Sequence, residues 1–117
     1  MTKNLIIRKR KITMNEYPTQ EELDKIKLWD AIGDPLGLID FIKSIWWTPS
    51  FGFKLSGRKT KKLELHTGGW SGNEDIIGVL SETMFWACFW EKSYKGGHFY
   101  FTISSVYLKS VKEKKDE

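Results

Sequence analysis

Two stretches of this sequence alternate strictly between apolar and polar residues. Lys61–His66 puts Leu63 and Leu65 on one side and Glu64 and His66 on the other. His98–Ser104 repeats the pattern, with Phe99, Phe101 and Ile103 facing one way and His98, Tyr100 and Thr102 the other. A period of two is the signature of a strand, because successive side chains leave opposite faces of a sheet. The chain must therefore build a sheet with one apolar face, and that face needs a cover. Phe51, Phe53 and Leu55 alternate with Gly52, Lys54 and Ser56 in a further strand, which turns at Gly57-Arg58. Met84–Trp90 is apolar on both sides and predicts a central strand covered on both faces. In that reading Trp86, Cys88 and Trp90 share one face, Phe85 and Phe89 the other, and Ser93–Gly97 is a hairpin turn.

The cover comes from helices. Thr19 and Glu22 have capping-box spacing, and Leu23, Ile26 and Trp29 follow at helical spacing until Ile32-Gly33. Asp34-Pro35 starts a second helix, with Leu36, Ile39, Ile42 and Trp46 as its stripe, stopped before Pro49. A third helix runs from about Gly72 to Glu82, with Ile76, Ile77, Val79 and Leu80 apolar. The order α-α-β-β-α-β-β predicts an α+β fold with a mostly antiparallel sheet of about four strands and three helices. With 117 residues the expectation is one domain over residues 16–106, after an extended basic arm (1–15) and before a charged tail (107–117). Leu5-Ile6-Ile7 in the arm is suited to an edge strand.

Composition narrows the chemistry. Six Trp, seven Phe and four Tyr are many for so short a chain, so either some of these rings do more than fill the core or the core is unusually aromatic. The single cysteine, Cys88, excludes an internal disulfide framework and a cysteine-rich zinc site, and inside an apolar strand it reads as a buried small hydrophobe. No structural metal and no cofactor are expected, since one Cys and two His cannot complete a tetrahedral set without carboxylates. No run is long enough to span a bilayer, and Lys3–Ile7 is too short for a signal-peptide core, so the expected location is the cytoplasm. The net charge of +4 is concentrated in Arg8–Lys11 and Arg58–Lys62, which read as solvated segments or as an anion-facing surface.

The most unusual stretch joins the second alternating strand to the third helix: Thr67, Gly68, Gly69, Trp70, Ser71, Gly72, Asn73 and Glu74. Such a loop can bring backbone amides close to a ligand, a helix N-terminus favours an anion, and Trp70 offers a stacking plate. Ser71 and Glu74 also stand at capping-box spacing, which would make them helix starters only. The pattern is neither a P-loop nor a dinucleotide fingerprint. If the two alternating strands are neighbours, His66 and His98 share a face with Glu64, Lys54 and Tyr100. That set suits a general acid–base pair or a metal site, although lone strand histidines more often only pack. The Lys95–His98 turn, with Gly97, completes the candidate ligand-binding set, and Trp86 and Trp90 would wall a groove beneath it unless helices bury both faces of their strand, the more common arrangement.

The words T-G-G-W-S-G-N-E (Thr67–Glu74), F-W-x-x-x-W (Phe85–Trp90) and basic-G-G-H-Y/F (Lys95–Phe99) resemble those of a family of small phage and prophage-encoded proteins. The likeness runs from about Pro18 to Ile103 and includes the opening P-T-x-E-E-L helix. Family members often carry two basic residues before G-G-H, where this chain has Tyr94-Lys95. The resemblance implies a genomic setting and not a mechanism.

The expected function is that of a phage accessory protein: a non-enzymatic binder of an anionic, nucleotide-like small molecule, sequestering a host defence signal. The alternative is a protein-interaction module that inhibits a host or phage enzyme through an aromatic surface at Trp46, Trp47 and Phe51. Direct nucleic-acid binding is weaker, because no helix carries basic residues on one face. A hydrolase or nuclease using His66, His98 and Glu74 ranks last, for want of a nucleophile with its base or of paired carboxylates. Self-association is left open.

Overall fold

The structure is a computed structural model that describes residues 16–115, so the arm and its suggested edge strand lie outside the described residues. In chain order the elements are α1 (Gln20–Leu28), α2 (Pro35–Ile45), α3 (Pro49–Gly52), β1 (Phe53–Ser56), β2 (Lys61–His66), α4 (Ser71–Leu80), α5 (Met84–Phe89), β3 (Trp90–Tyr94), β4 (His98–Ile103) and α6 (Ser105–Lys115). The strands form one antiparallel sheet in the order β1-β2-β4-β3. The α+β class and the four-stranded antiparallel sheet are as the sequence predicts.

The first two helices start where their caps stand. Thr19 accepts from the Glu22 amide at 3.1 Å while the Glu22 carboxylate accepts from the Thr19 amide at 2.9 Å. Asp34 accepts from the Gly37 amide at 3.1 Å, with Pro35 at the first helical position. Helix α1 stops at Leu28, earlier than its apolar spacing suggests. The Asp30 carboxylate accepts from the Gly33 amide at 3.0 Å, an Asx-type turn that competes with helix continuation.

The apolar sides of β2 and β4 form the floor of the core. Leu63, Leu65, Phe101 and Ile103 are buried, and Ile26, Leu38, Ile39, Ile42, Ile76, Leu80 and Phe85 pack over them. At about 25 cal/mol per Å² of apolar surface removed from water, this layer is the main source of stability. No described helix covers the other face.

The segment Met84–Phe89 is a helix and not the expected central strand. A six-residue apolar run carries no period that separates a buried strand from a buried helix. As a helix it stacks Phe85 and Phe89 on one side, ring centroids 5.2 Å apart, and turns Ala87 and Cys88 outward. Cys88 is therefore exposed, contrary to the expectation of burial. The outer strand β3 begins at Trp90, so Ser93 and Tyr94 are strand and only Lys95–Gly97 turn. Residues 105–115 are helical, and Tyr107 in α6 packs on Phe89 at 5.1 Å.

The Tyr107 hydroxyl donates to the Ile32 carbonyl at 2.5 Å. Burial, and then the neighbouring Cys88 and Asp30, raise the phenol above its ordinary value. A group raised in the folded state contributes stability that is complete below its unfolded value, about pH 10, and is lost as pH climbs through the higher folded one. Denaturant midpoints of the native chain are expected to fall more steeply above about pH 10 than those of Tyr107→Phe. Parallel slopes would show that the phenol is not coupled to folding.

Candidate functional site

The register of β2 on β4 sets His66 directly opposite His98 on the uncovered face. Their Nδ1 atoms are 2.8 Å apart, with ring centroids at 5.0 Å and planes at 61°. On its other side His66 Nε2 is 3.3 Å from Glu64 Oε1. Tyr100, two residues along β4, meets the His66 ring edge-on at 5.8 Å, and Tyr94 meets Tyr100 at 5.6 Å. The Lys92 ammonium lies over both phenol rings, 5.6 Å from Tyr94 and 5.2 Å from Tyr100. Four aromatic rings thus form a cluster spanning β2, β4 and β3.

Local chemistry explains how β3 joins this face. Trp90 pairs with Phe101 and Lys92 with Tyr100, so the ladder is irregular at Glu91. The irregularity lets Lys92 and Tyr94 face the same side as Tyr100 and His98. It also brings Glu91 to Thr102, whose hydroxyl donates to the carboxylate, and to Lys62 Nζ at 3.5 Å. The Thr102 hydrogen bond first, and the Lys62 charge second, hold the Glu91 carboxyl below its ordinary value. Lys54 stands across from Glu64.

The Gly-rich loop and the Lys95–Gly97 turn meet at one end of this face. The Thr67 amide donates to the Gly97 carbonyl at 3.0 Å, and a Cβ on Gly97 (φ +86°) would stand 2.2 Å from Thr67 Oγ1. Most of the loop is scaffold. Asn73 is buried, accepting from the Trp47 amide at 2.8 Å and donating to the carbonyls of Trp47 (3.1 Å) and Thr67 (3.3 Å). Gly72 lies against the Glu16 carbonyl, where a Cβ would approach to 1.8 Å. Gly68 and Gly69 hold positive φ. Helix α4 begins one residue earlier than the capping-box spacing implies, with Trp70 at the cap position and no side-chain cap bond. Ser71 and Glu74 are exposed in its first turn. Trp70 is half-buried, folded over Gly68 and edge-on to Phe51 at 5.9 Å.

The remaining candidates separate. Trp86 packs on Phe99 and Phe101 at 5.5 and 5.3 Å, on the helix-covered side. Trp90 pairs with Phe101 and donates to Ser93 Oγ at 2.7 Å, so neither tryptophan walls the His98–Tyr100 face. The Trp46–Trp47–Phe51 patch also changes: Trp46 is a core residue at 1% exposure, while Phe51 is 63% exposed. Tyr94 and Lys92 are absent from the expected set because Ser93–Gly97 reads as a turn, which leaves Lys92 outside any expected strand. The signal that would have found them is Lys92-x-Tyr94 at strand spacing before Gly96-Gly97.

Cavities of about 490 to 500 Å³ lie elsewhere, beside Tyr107 in α6 and between α2 and β1, and neither contains an imidazole. Among the described residues no group of three or more His, Cys, Asp or Glu side chains is placed to hold a metal ion. Among them, too, no helix is long and apolar enough to cross a membrane.

Fold and site together define an α+β domain with helices on one face of its sheet and an aromatic, lysine-bearing opposite face. No protein-family model matches the chain, and comparison with curated proteins and with solved structures returned no similar protein.

Proposed function

We propose that this protein is a non-enzymatic binder of an anionic, nucleotide-like small molecule, held on the uncovered sheet face. One observation carries the reading: the cluster of rings His98, His66, Tyr100 and Tyr94, with the Lys92 ammonium over two of them. Aromatic faces suit a base, and an ammonium beside them suits a phosphate. Binding without turnover amounts to sequestration, and the resemblance to phage-encoded proteins suggests a host defence signal as the cargo.

A second reading, an interaction module docking on a host or phage enzyme, is supported by the exposed Phe51 ring against Trp70. The two readings use different surfaces. Native mass spectrometry of protein purified from producing cells should reveal a retained small molecule. Titration of labelled protein with adenosine monophosphate or a cyclic dinucleotide should shift resonances of Lys92, Tyr94, His98 and Tyr100. The double change Lys92→Ala, Tyr100→Ala should weaken binding at least about tenfold, about 1.4 kcal/mol, with little change in melting temperature. Trp70→Ala should leave binding intact. Shifts confined to Phe51 and Trp70, or none with any nucleotide, would transfer support to the interaction module.

A further inference from the structure

We infer that Glu64, His66 and His98 form a one-proton relay ending at His98 Nε2, and that an anionic ligand on the uncovered face binds together with a proton at that atom. The ligand half rests on the function proposed above; the relay half does not.

The hydrogen positions follow from the heavy atoms. An ionised Glu64 carboxylate can only accept, so His66 Nε2 carries hydrogen. In neutral His66 the Nδ1 is then bare. Its 2.8 Å approach to His98 Nδ1 needs one hydrogen between the two nitrogens, and that hydrogen belongs to His98. Neutral His98 is left with a bare Nε2, an atom with no hydrogen-bond partner among the described residues, beside the Gly96 turn.

Adding one proton preserves every one of these bonds. If His98 takes the charge, the proton is on its Nε2 and Nδ1–H still donates to His66. If His66 takes the charge, its Nδ1–H donates to His98 Nδ1, and His98 again carries hydrogen at Nε2. Either way the new hydrogen appears at His98 Nε2. A second proton would put hydrogen on both Nδ1 atoms and break their contact. The same atom therefore presents an acceptor in one state and a cationic donor in the other, within a group that holds at most one extra charge.

The groups facing the relay agree with a single charge. Among the described residues Glu64 is the carboxylate paired with His66. Lys54 stands opposite Glu64 from β1, Lys92 lies over Tyr94 and Tyr100 from β3, and Lys95 is in the adjoining turn. Tyr100 from β4 and Tyr94, the register partner of His98, supply neutral phenols. The Lys92 ammonium, with Lys54 and Lys95 on the neighbouring strand and turn, makes this face positive, which disfavours a doubly charged histidine pair and complements an anion. His98 is thus assigned as the ligand-contacting residue, with His66 and Glu64 as positioning residues.

Imidazole ¹⁵N spectra of the full chain test the relay without a ligand. In the neutral state His66 should be the Nε2–H tautomer and His98 the Nδ1–H tautomer. Glu64→Gln should remove the one-way acceptance and let His98 populate Nε2–H. Neutral His98 found as Nε2–H in the unsubstituted chain would overturn the relay, and an unchanged spectrum in Glu64→Gln would remove Glu64 from it. Calorimetric titration with adenosine monophosphate and with pyrophosphate, in two buffers of different ionisation heat, tests the coupling. Net uptake of up to one proton is expected, lost in His98→Gln. Binding without proton uptake would overturn the coupling. Failure of both probes to bind would remove the ligand reading and the coupling with it, while the tautomers decide the relay separately.

Discussion

Asn73→Ala is expected to destabilise the fold by about 3 kcal/mol, more than its small volume suggests. The side chain is buried and makes three hydrogen bonds, all to backbone. Removing it strands the Trp47 amide and two carbonyls, and each unsatisfied buried group costs about 1–3 kcal/mol less whatever water can reach. Those bonds tie the end of α2 to the loop after β2, so the damage should spread to the Thr67–Gly97 contact. Asn73→Asp is expected to be at least as harmful, because it keeps the acceptor, loses both donors and buries a charge. Urea denaturation of both variants measures this. A loss under about 1 kcal/mol for alanine would mean that the loop relaxes and finds other partners.

The second large effect is expected for Phe85→Ala, at about 3–5 kcal/mol. Phe85 is fully buried, with its ring 5.2 Å from Phe89 and 5.4 Å from Phe101. Truncation opens a cavity at the junction of α5 and the sheet, where the flanking rings of Phe89 and Phe101 cannot close in. A small deletion cost would show that α5 repacks. The neighbouring change Cys88→Ser should be nearly silent, since Cys88 is exposed. Under the strand expectation Cys88 would have been buried, so the pair of variants distinguishes helix from strand in solution.

Alternation made β2 and β4 legible, and with them half of the candidate site. Once Leu63, Leu65, Phe99 and Phe101 are assigned to the core, Glu64, His66, His98 and Tyr100 have only the opposite face to occupy. The structure adds that these four residues are two pairs of register partners, Glu64 with Tyr100 and His66 with His98, which no spacing within a single strand can state. Phe85–Trp90 was not legible, because six consecutive apolar residues look alike in helix and strand. Tyr94 was hidden by the glycines beside it, which drew the turn too early. The Gly-rich loop misled for a physical reason: glycines that let a ligand approach backbone and glycines that let backbone approach backbone have the same sequence. Here Gly72 against the Glu16 carbonyl is of the second kind, while Gly97 makes room for the Thr67 side chain.

Because the described helices pack on one side of a single sheet, the chain separates what keeps it folded from what it shows to solvent. Side chains at positions 54, 56, 62, 92, 94 and 100 can be exchanged without opening a void among the buried residues. Drift at those positions is then not limited by core packing, and sequences could vary there while keeping one architecture. The same property makes the face a display surface. A library randomised there, with Leu63, Leu65, Phe85 and Phe101 held constant, should yield folded variants at a much higher rate than one randomised on the opposite side of the same strands.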